Sequence, residues 1–216
     1  MKIRNGLGGL AVAAFAIAAL LGVGAASASA AHKMCKSNEP MCKAGNNWMA
    51  GTSVKGAATN TKITVEPIIE GKQTFIEITC GTANLQGKTA VNEGVGAATL
   101  KVTMESMTFG MCSSKQAETC TVTQSNIALE GGFFGTGTGT GTFETNAELT
   151  IKCTKPNFEC IYTSQGALKA IGGMPGAIEA AGQMEQVPPA KENCPSVSNW
   201  SGKYVLSAPE KVWFTN

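Results

Sequence analysis

Eight cysteines are the residues of this sequence whose type and spacing most clearly indicate chemistry. They are Cys35, Cys42, Cys80, Cys112, Cys120, Cys153, Cys160 and Cys194. An even number of cysteines in an exported chain is typical of a disulfide framework. A zinc site needs closely spaced cysteines or cysteine with histidine, whereas the closest pairs here enclose six or seven residues and His32 is the sole histidine. The cysteines predict four disulfide bonds, with no metal site and no cofactor.

Three cysteine pairs enclose short polar loops, and two of these loops recur between similar strand-like runs. We expect each pair to close its own loop, because facing residues of a hairpin lie within disulfide reach. The expected short-loop pairs are Cys35–Cys42, Cys112–Cys120 and Cys153–Cys160. Elimination then joins Cys80 to Cys194. The alternative joins Cys80 to Cys112 and Cys120 to Cys194.

The usual catalytic residues are missing. The sequence has no aspartate, Arg4 is its one arginine, and His32 is its one histidine. A Ser-His-Asp triad needs a histidine oriented by a carboxylate. Glycoside hydrolysis by a glutamate pair needs neither, but Glu105, Glu144 and Glu148 alternate with apolar residues, as solvent-facing strand residues do. We therefore expect that the protein is not an enzyme, and a glutamate-pair glycosidase is the least favoured function.

Binding is the function class that best fits the remaining residues. Trp48 and Trp213 are the candidate binding aromatics, although packing against the protein body is the simpler interpretation of each. Aromatic side chains exposed on a rigid β-domain would suit an extracellular polysaccharide or a component of the cell envelope. The alternative is a structural or protective extracellular protein that has no site for a small molecule.

The first thirty residues have the pattern of a secretory signal peptide. Lys2 and Arg4 precede an apolar run rich in alanine and glycine, and Ala28-Ser29-Ala30 has the small residues of a cleavage site. Residues 31–216 are then expected to form a single disulfide-linked domain, secreted or associated with the envelope, with no membrane segment after cleavage. This part of the chain carries fifteen lysines and fifteen glutamates. Its formal charge of zero gives no support for nucleic-acid binding.

The mature sequence predicts strands throughout, because apolar and polar residues alternate over short runs that end at glycine and proline. The apolar alternation slips by one residue between Met104 and Met107. The apolar set before the slip is Leu100, Val102 and Met104, and the set after it is Met107, Phe109 and Met111. The slip indicates either a β-bulge near Glu105 and Ser106 or the end of one strand and the start of another. Near the C-terminus, an apolar face is expected from Trp200, Gly202, Tyr204 and Leu206. The predicted fold class is all-β, an antiparallel β-sandwich, with a partly open β-barrel as the alternative. A signal-peptide helix is expected before it.

Several short motifs resemble those of a group of exported, disulfide-containing, β-rich proteins of high-GC soil bacteria. They are CKSNEPMC followed by AGN, the FGMC and CTVT runs, and the closing CP-x5-WSGKYVLSAP. The resemblance covers most of the mature chain, but its motifs are structural. It implies no activity and no catalytic residue.

Overall fold

The computed structural model describes residues 33–39, 42–43, 45–91, 100–126, 129–135, 140–144, 147–164 and 167–215. The predicted signal peptide, its helix and its cleavage site lie outside these residues. The described residues are all-β and contain no helix. The strands are β1 (Lys33–Cys35), β2 (Ser53–Ala58), β3 (Thr61–Val65), β4 (Ile68–Ile69), β5 (Lys72–Gln73), β6 (Ile76–Val91), β7 (Leu100–Ser114), β8 (Cys120–Asn126), β9 (Leu129–Gly135), β10 (Thr140–Glu144), β11 (Glu148–Thr154), β12 (Asn157–Thr163), β13 (Ala167–Ile171), β14 (Ala177–Gln186), β15 (Val197–Ala208) and β16 (Trp213–Thr215).

Most of these strands form one closed barrel in which each wall strand pairs antiparallel with the next along the chain. Four wall strands are interrupted, and each consists of two consecutive strands in line: β2 with β3, β8 with β9, β10 with β11, and β12 with β13. The other four are the continuous strands β6, β7, β14 and β15. Pairing of β15 with β2 and β3 closes the circle of eight. The fold is therefore an up-and-down barrel. The predicted all-β class and the barrel alternative are confirmed, although the barrel is closed rather than partly open. The preferred prediction of a sandwich is wrong.

The sequence alternation places apolar residues inside the barrel, as predicted. In β3, Thr61, Ile63 and Val65 are buried and alternate with more exposed residues. The same holds along β15, where Trp200, Tyr204 and Leu206 are buried on one face. An eight-stranded barrel is just wide enough for its interior to be filled by side chains or to hold one small ligand. Here large side chains fill much of it, among them the fully buried Tyr162 and Tyr204.

The predicted slip in β7 is a β-bulge. Gln86 of β6 pairs with Ser106, and the next residue, Gly87, pairs with Met104, so Glu105 is the extra residue. The strand continues without a break from Leu100 to Ser114. Of the two predictions for this stretch, the bulge is confirmed.

A second change of phase was not predicted. It occurs at one level of three neighbouring wall strands: between β2 and β3, near Gly81 of β6, and at Met111 of β7. Asn60 and Met111 have positive φ angles there. The sequence places Met111 on the same face as Met107, but Met111 is 73% exposed and Cys112 pairs with the buried Cys80 instead. The expectation that Met111 shares the apolar face is therefore wrong.

One end of the barrel is covered by a ribbon in which β1 pairs with β16. Met34 and Phe214 face each other in this ribbon, and both are almost fully buried. β16 also contacts β9, β10 and β13. Glycine and threonine alternate over residues 135–142, and this pattern predicts a flexible or poorly packed edge strand. The part of this tract in β10 lies between β9 and β13, so this part is not an edge strand.

Candidate functional site

All eight cysteines form disulfide bonds, which confirms the predicted framework. The observed pairs are Cys35–Cys42, Cys80–Cys112, Cys120–Cys153 and Cys160–Cys194. The first pair agrees with the prediction. The predicted pairs Cys112–Cys120, Cys153–Cys160 and Cys80–Cys194 are wrong. Half of the alternative, Cys80–Cys112, is confirmed, and its other half, Cys120–Cys194, is wrong.

The β-ladders explain these corrections. Cys80 lies directly opposite Cys112 in the β6–β7 ladder, and Cys120 lies opposite Cys153 in the β8–β11 ladder. Each bond therefore joins adjacent wall strands instead of closing the loop between two cysteines that are neighbours in sequence. The Cys160–Cys194 bond ties β12 to the loop before β15. These three bonds lie at the end of the barrel opposite the β1–β16 ribbon.

Main-chain pairing in the barrel wall is sparse between β7 and β8, where the ladder consists of one pair of residues, Thr108 and Thr123. Next to it, the side chain of Gln124 replaces a main-chain partner, because its Oε1 accepts a hydrogen bond of 2.5 Å from the Met107 amide. The Glu105 bulge lies on the same stretch of β7. The regular main-chain pairing of the wall is therefore interrupted here.

A concavity of about 340 Å³ lies where this pairing between β7 and β8 is sparse, and we call it the wall slot. Its lining residues are Glu105, Ser106, Met107, Thr108, Phe109, Val122, Thr123 and Gln124. Met107 and Val122 are buried and Phe109 is half-buried, so the floor is apolar. The size falls at the lower end of the range for small-molecule sites, which are mostly apolar with a few polar groups.

Phe109 connects the wall slot to the barrel interior. Its ring meets the indole of Trp200 edge to face, with 6.4 Å between ring centroids. Trp200 in turn meets Tyr204 edge to face at 6.0 Å. Three buried polar atoms of this region form no hydrogen bond of normal geometry: Trp200 Nε1, Tyr204 Oη and Thr61 Oγ1. The Tyr204 hydroxyl nevertheless lies close to the other two. Buried polar groups without partners are rare in folded proteins, so a cluster of three is an unusual feature of the interior behind the slot.

A second concavity, of about 350 Å³, lies on the outer surface where β6 begins and β7 ends. Phe75, half of whose surface is exposed, stands at its margin. Its polar side chains already bond within the surface: Ser114 donates to Gln116, and Lys62 pairs with Glu77 at 3.2 Å. This surface has no buried apolar floor, so it is the weaker candidate.

The predicted binding aromatics both lie near the β1–β16 ribbon. Trp213 belongs to β16 and is half-buried. Trp48 is also half-buried, donates its indole hydrogen to the Lys211 carbonyl at 2.9 Å, and has the Lys36 ammonium 5.2 Å from the centre of its ring. These contacts occupy the polar edge and one face of Trp48. A role of either residue in polysaccharide binding stays a prediction.

The three candidate glutamates lie on two wall strands. Glu105 is in β7 at the slot, whereas Glu144 ends β10 and Glu148 begins β11 on the interrupted strand that these two form. Within the described residues, no group of three or more His, Cys, Asp or Glu lies close enough to hold a metal ion. In the same part of the chain, no helix has the length and apolar character needed to cross a membrane.

Comparison of the chain with protein-family models, curated proteins and solved structures gives no match. Sequence reasoning did not find the wall slot. Its one signal is the slip of alternation at Glu105, which marks where the β7 backbone departs from a regular ladder. The interior face with Trp200 and Tyr204 was predicted, and the lack of partners for their polar atoms was not.

Proposed function

We propose that this domain is an exported binding module that takes a small, largely apolar molecule into the wall slot. The observation that carries the proposal is the interrupted β7–β8 ladder, where an apolar-floored concavity lies in the barrel wall. A closed barrel exposes few edges, so a specific opening of this size is a feature that a purely structural barrel does not need.

Four disulfide bonds support export, because such bonds persist in oxidising compartments outside the cytoplasm. Three of them fix neighbouring elements at one end of the barrel. A wall held in this way is pre-organised, so little of the binding free energy is lost to ordering the site.

The test uses α-methylstyrene, a small neutral hydrocarbon, and amide spectra of the oxidised protein. Saturable shifts are expected for the amides of Thr108 and Val122, which lie on the two sides of the slot. Thr123→Trp places a large ring at the slot and should abolish these shifts. Thr121→Trp is the matched control, because Thr121 is exposed on the same strand but does not line the slot, and it should leave binding intact. Equal binding by both variants, or no saturable shift, would contradict the proposal.

The second candidate is a structural or protective extracellular protein. The filled interior and the three disulfides between barrel elements favour it, because both raise stability without creating a ligand site. It predicts that no small molecule stabilises the protein. Thermal denaturation with and without α-methylstyrene separates the two, since a ligand that binds the native state alone raises Tm in a concentration-dependent way.

A further inference from the structure

We propose that the wall slot selects neutral molecules that carry a hydrogen-bond acceptor, such as ketones, over hydrocarbons and carboxylates of the same shape. The inference rests on the proposed function, because it names the class of ligand that the same slot would take. It arises from the unpartnered donors behind Phe109 and from the absence of positive charge among the described interior residues.

Three hydrogen-bond donors form the interior cluster behind Phe109. Trp200 Nε1 is a donor only, while the hydroxyls of Tyr204 and Thr61 both donate and accept. The three residues are at least 98% buried, and these atoms have no partner. The Tyr204 hydroxyl lies close to the Thr61 hydroxyl and to the Trp200 indole without a hydrogen bond of normal geometry. A buried donor without a partner is costly, so an acceptor placed among these groups is stabilised.

Gly202 helps to make room for this cluster. It lies between Trp200 and Tyr204 on the inner face of β15, next to Thr61 of β3. A Cβ at this position would lie 3.1 Å from both Oγ1 and Cγ2 of Thr61. The lack of a side chain at Gly202 therefore lets the Thr61 hydroxyl approach the β15 backbone between the two aromatic residues.

Phe109 separates the cluster from the slot. Its ring lines the slot on one side and contacts Trp200 on the other. Rotation of this single half-buried side chain would join the slot to the donors. An apolar body can then occupy the slot while an acceptor oxygen reaches the interior.

The charges of the surroundings favour a neutral ligand. All lysines whose side chains the structure describes are exposed, so none of these lysines would pair with a carboxylate buried in the barrel. A buried charge without a partner is strongly unfavourable. Burial also raises the pKa of Tyr204 well above its usual value, so its hydroxyl keeps its proton at neutral pH. The cluster consists of neutral donors, which match a carbonyl oxygen.

The experiment compares three molecules of similar shape: acetophenone, α-methylstyrene and benzoate. The variant W48F/W213F leaves Trp200 as the one tryptophan and gives a single indole N–H signal in proton–nitrogen spectra. Acetophenone should shift this signal downfield and bind about tenfold more tightly than α-methylstyrene, which lacks the acceptor. Benzoate should bind more weakly than either. In W48F/W213F/W200F the preference for the ketone should fall, while α-methylstyrene still binds.

Other outcomes separate failure of this inference from failure of the proposed function. If all three molecules shift the Thr108 and Val122 amides with equal affinity and the Trp200 signal stays fixed, the slot binds ligands but the donors play no part. An indole signal that is already downfield in the free protein and does not respond to acetophenone shows that water satisfies the donors, which also overturns the inference. If none of the three binds, the slot is not a binding site. Tyr204→Phe gives a second test, because it removes one donor and keeps the ring, and it should reduce the ketone preference.

Discussion

Two polar side chains support the backbone at the wall slot where the regular ladder is lost. Gln124 accepts a hydrogen bond from the Met107 amide. Glu105, the extra residue of the bulge, accepts from Lys88 at 2.9 Å and from Gln86 at 3.3 Å. Individual residues therefore replace part of the pairing that strands otherwise provide, and substitutions at these positions should have effects that their moderate burial alone does not suggest.

Gln124→Ala should destabilise the protein by about 1–2 kcal/mol, because it leaves the partly buried Met107 amide without its acceptor. The free energy of unfolding from urea denaturation measures the effect. Gln183→Ala is the control, since Gln183 is an exposed residue within a barrel strand and its substitution should change stability by less than about 0.5 kcal/mol. Equal effects of the two substitutions would show that the Gln124 bond does not support the wall.

Glu105 should make the stability of the bulge depend on pH. The hydrogen bond from Lys88 is the largest influence that holds the pKa of Glu105 below its usual value. A carboxyl group whose pKa is lowered by folding stabilises the folded state above its unfolded pKa of roughly 4.3, and this contribution is lost as the pH falls through the folded pKa. Glu105→Gln should thus be slightly less stable than the wild type at pH 7, and the difference should shrink as the pH falls below roughly 4.3. Denaturation over a series of pH values checks this, and a difference that does not change with pH would indicate a cause other than charge.

At the scale of the strands, disulfide pairing shows where sequence reasoning succeeds and where it fails. The alternation of residues gave the strands, their buried faces and the bulge at Glu105, because these depend on neighbours in sequence. The partner of Cys112 depends on the register between β6 and β7, which the bulge at Glu105 shifts by one residue and which stays constant from Gln86 to Ile78. A local pattern contains no information on that register. The wall slot and the unpartnered interior donors were missed for the same reason, since they depend on contacts between separate strands.

The observed pairing changes which disulfides should stabilise most. The three bonds between barrel elements have sequence separations of 32, 33 and 34 residues, against 7 for Cys35–Cys42. The loop-entropy model gives about 3.7 kcal/mol for each longer loop and about 2.4 kcal/mol for the short one. C80A/C112A should therefore lower the free energy of unfolding about one and a half times as much as C35A/C42A, as measured in urea.

Peptide mapping of the oxidised wild type checks the pairing independently of stability. Proteolysis without reduction should release one peptide pair that joins Cys80 to Cys112 and another that joins Cys120 to Cys153. A peptide containing a Cys112–Cys120 bond would show that the hairpin loop is closed on itself and that the β6–β7 register is different.

At the scale of the whole molecule, the barrel forms from successive neighbours and is closed by one long-range seam. Seven of the eight pairings join wall strands that follow each other along the chain, and the eighth joins β15 to β2 and β3. The β1–β16 ribbon also joins the two ends of the described chain. Loop-closure entropy makes such distant pairing slower and less favourable than local pairing, so the seam is expected to depend strongly on close packing of its side chains.

Gly56 lies at this seam, and substituting it tests how much closure depends on close packing. A Cβ at Gly56 would lie 3.2 Å from Leu206 Cδ2 and 3.3 Å from Leu85 Cγ, so the larger side chain of Gly56→Val has no room inside the barrel. Overpacking of this kind costs about 1–3 kcal/mol. Gly182→Val is the matched control, because a Cβ there has no atom within 4 Å and valine favours a strand. We expect Gly56→Val to lower the free energy of unfolding and to speed amide hydrogen exchange in β2 and β15, whereas Gly182→Val should leave both unchanged. Exchange that accelerates throughout the barrel would show instead that the seam does not open separately from the remaining strands.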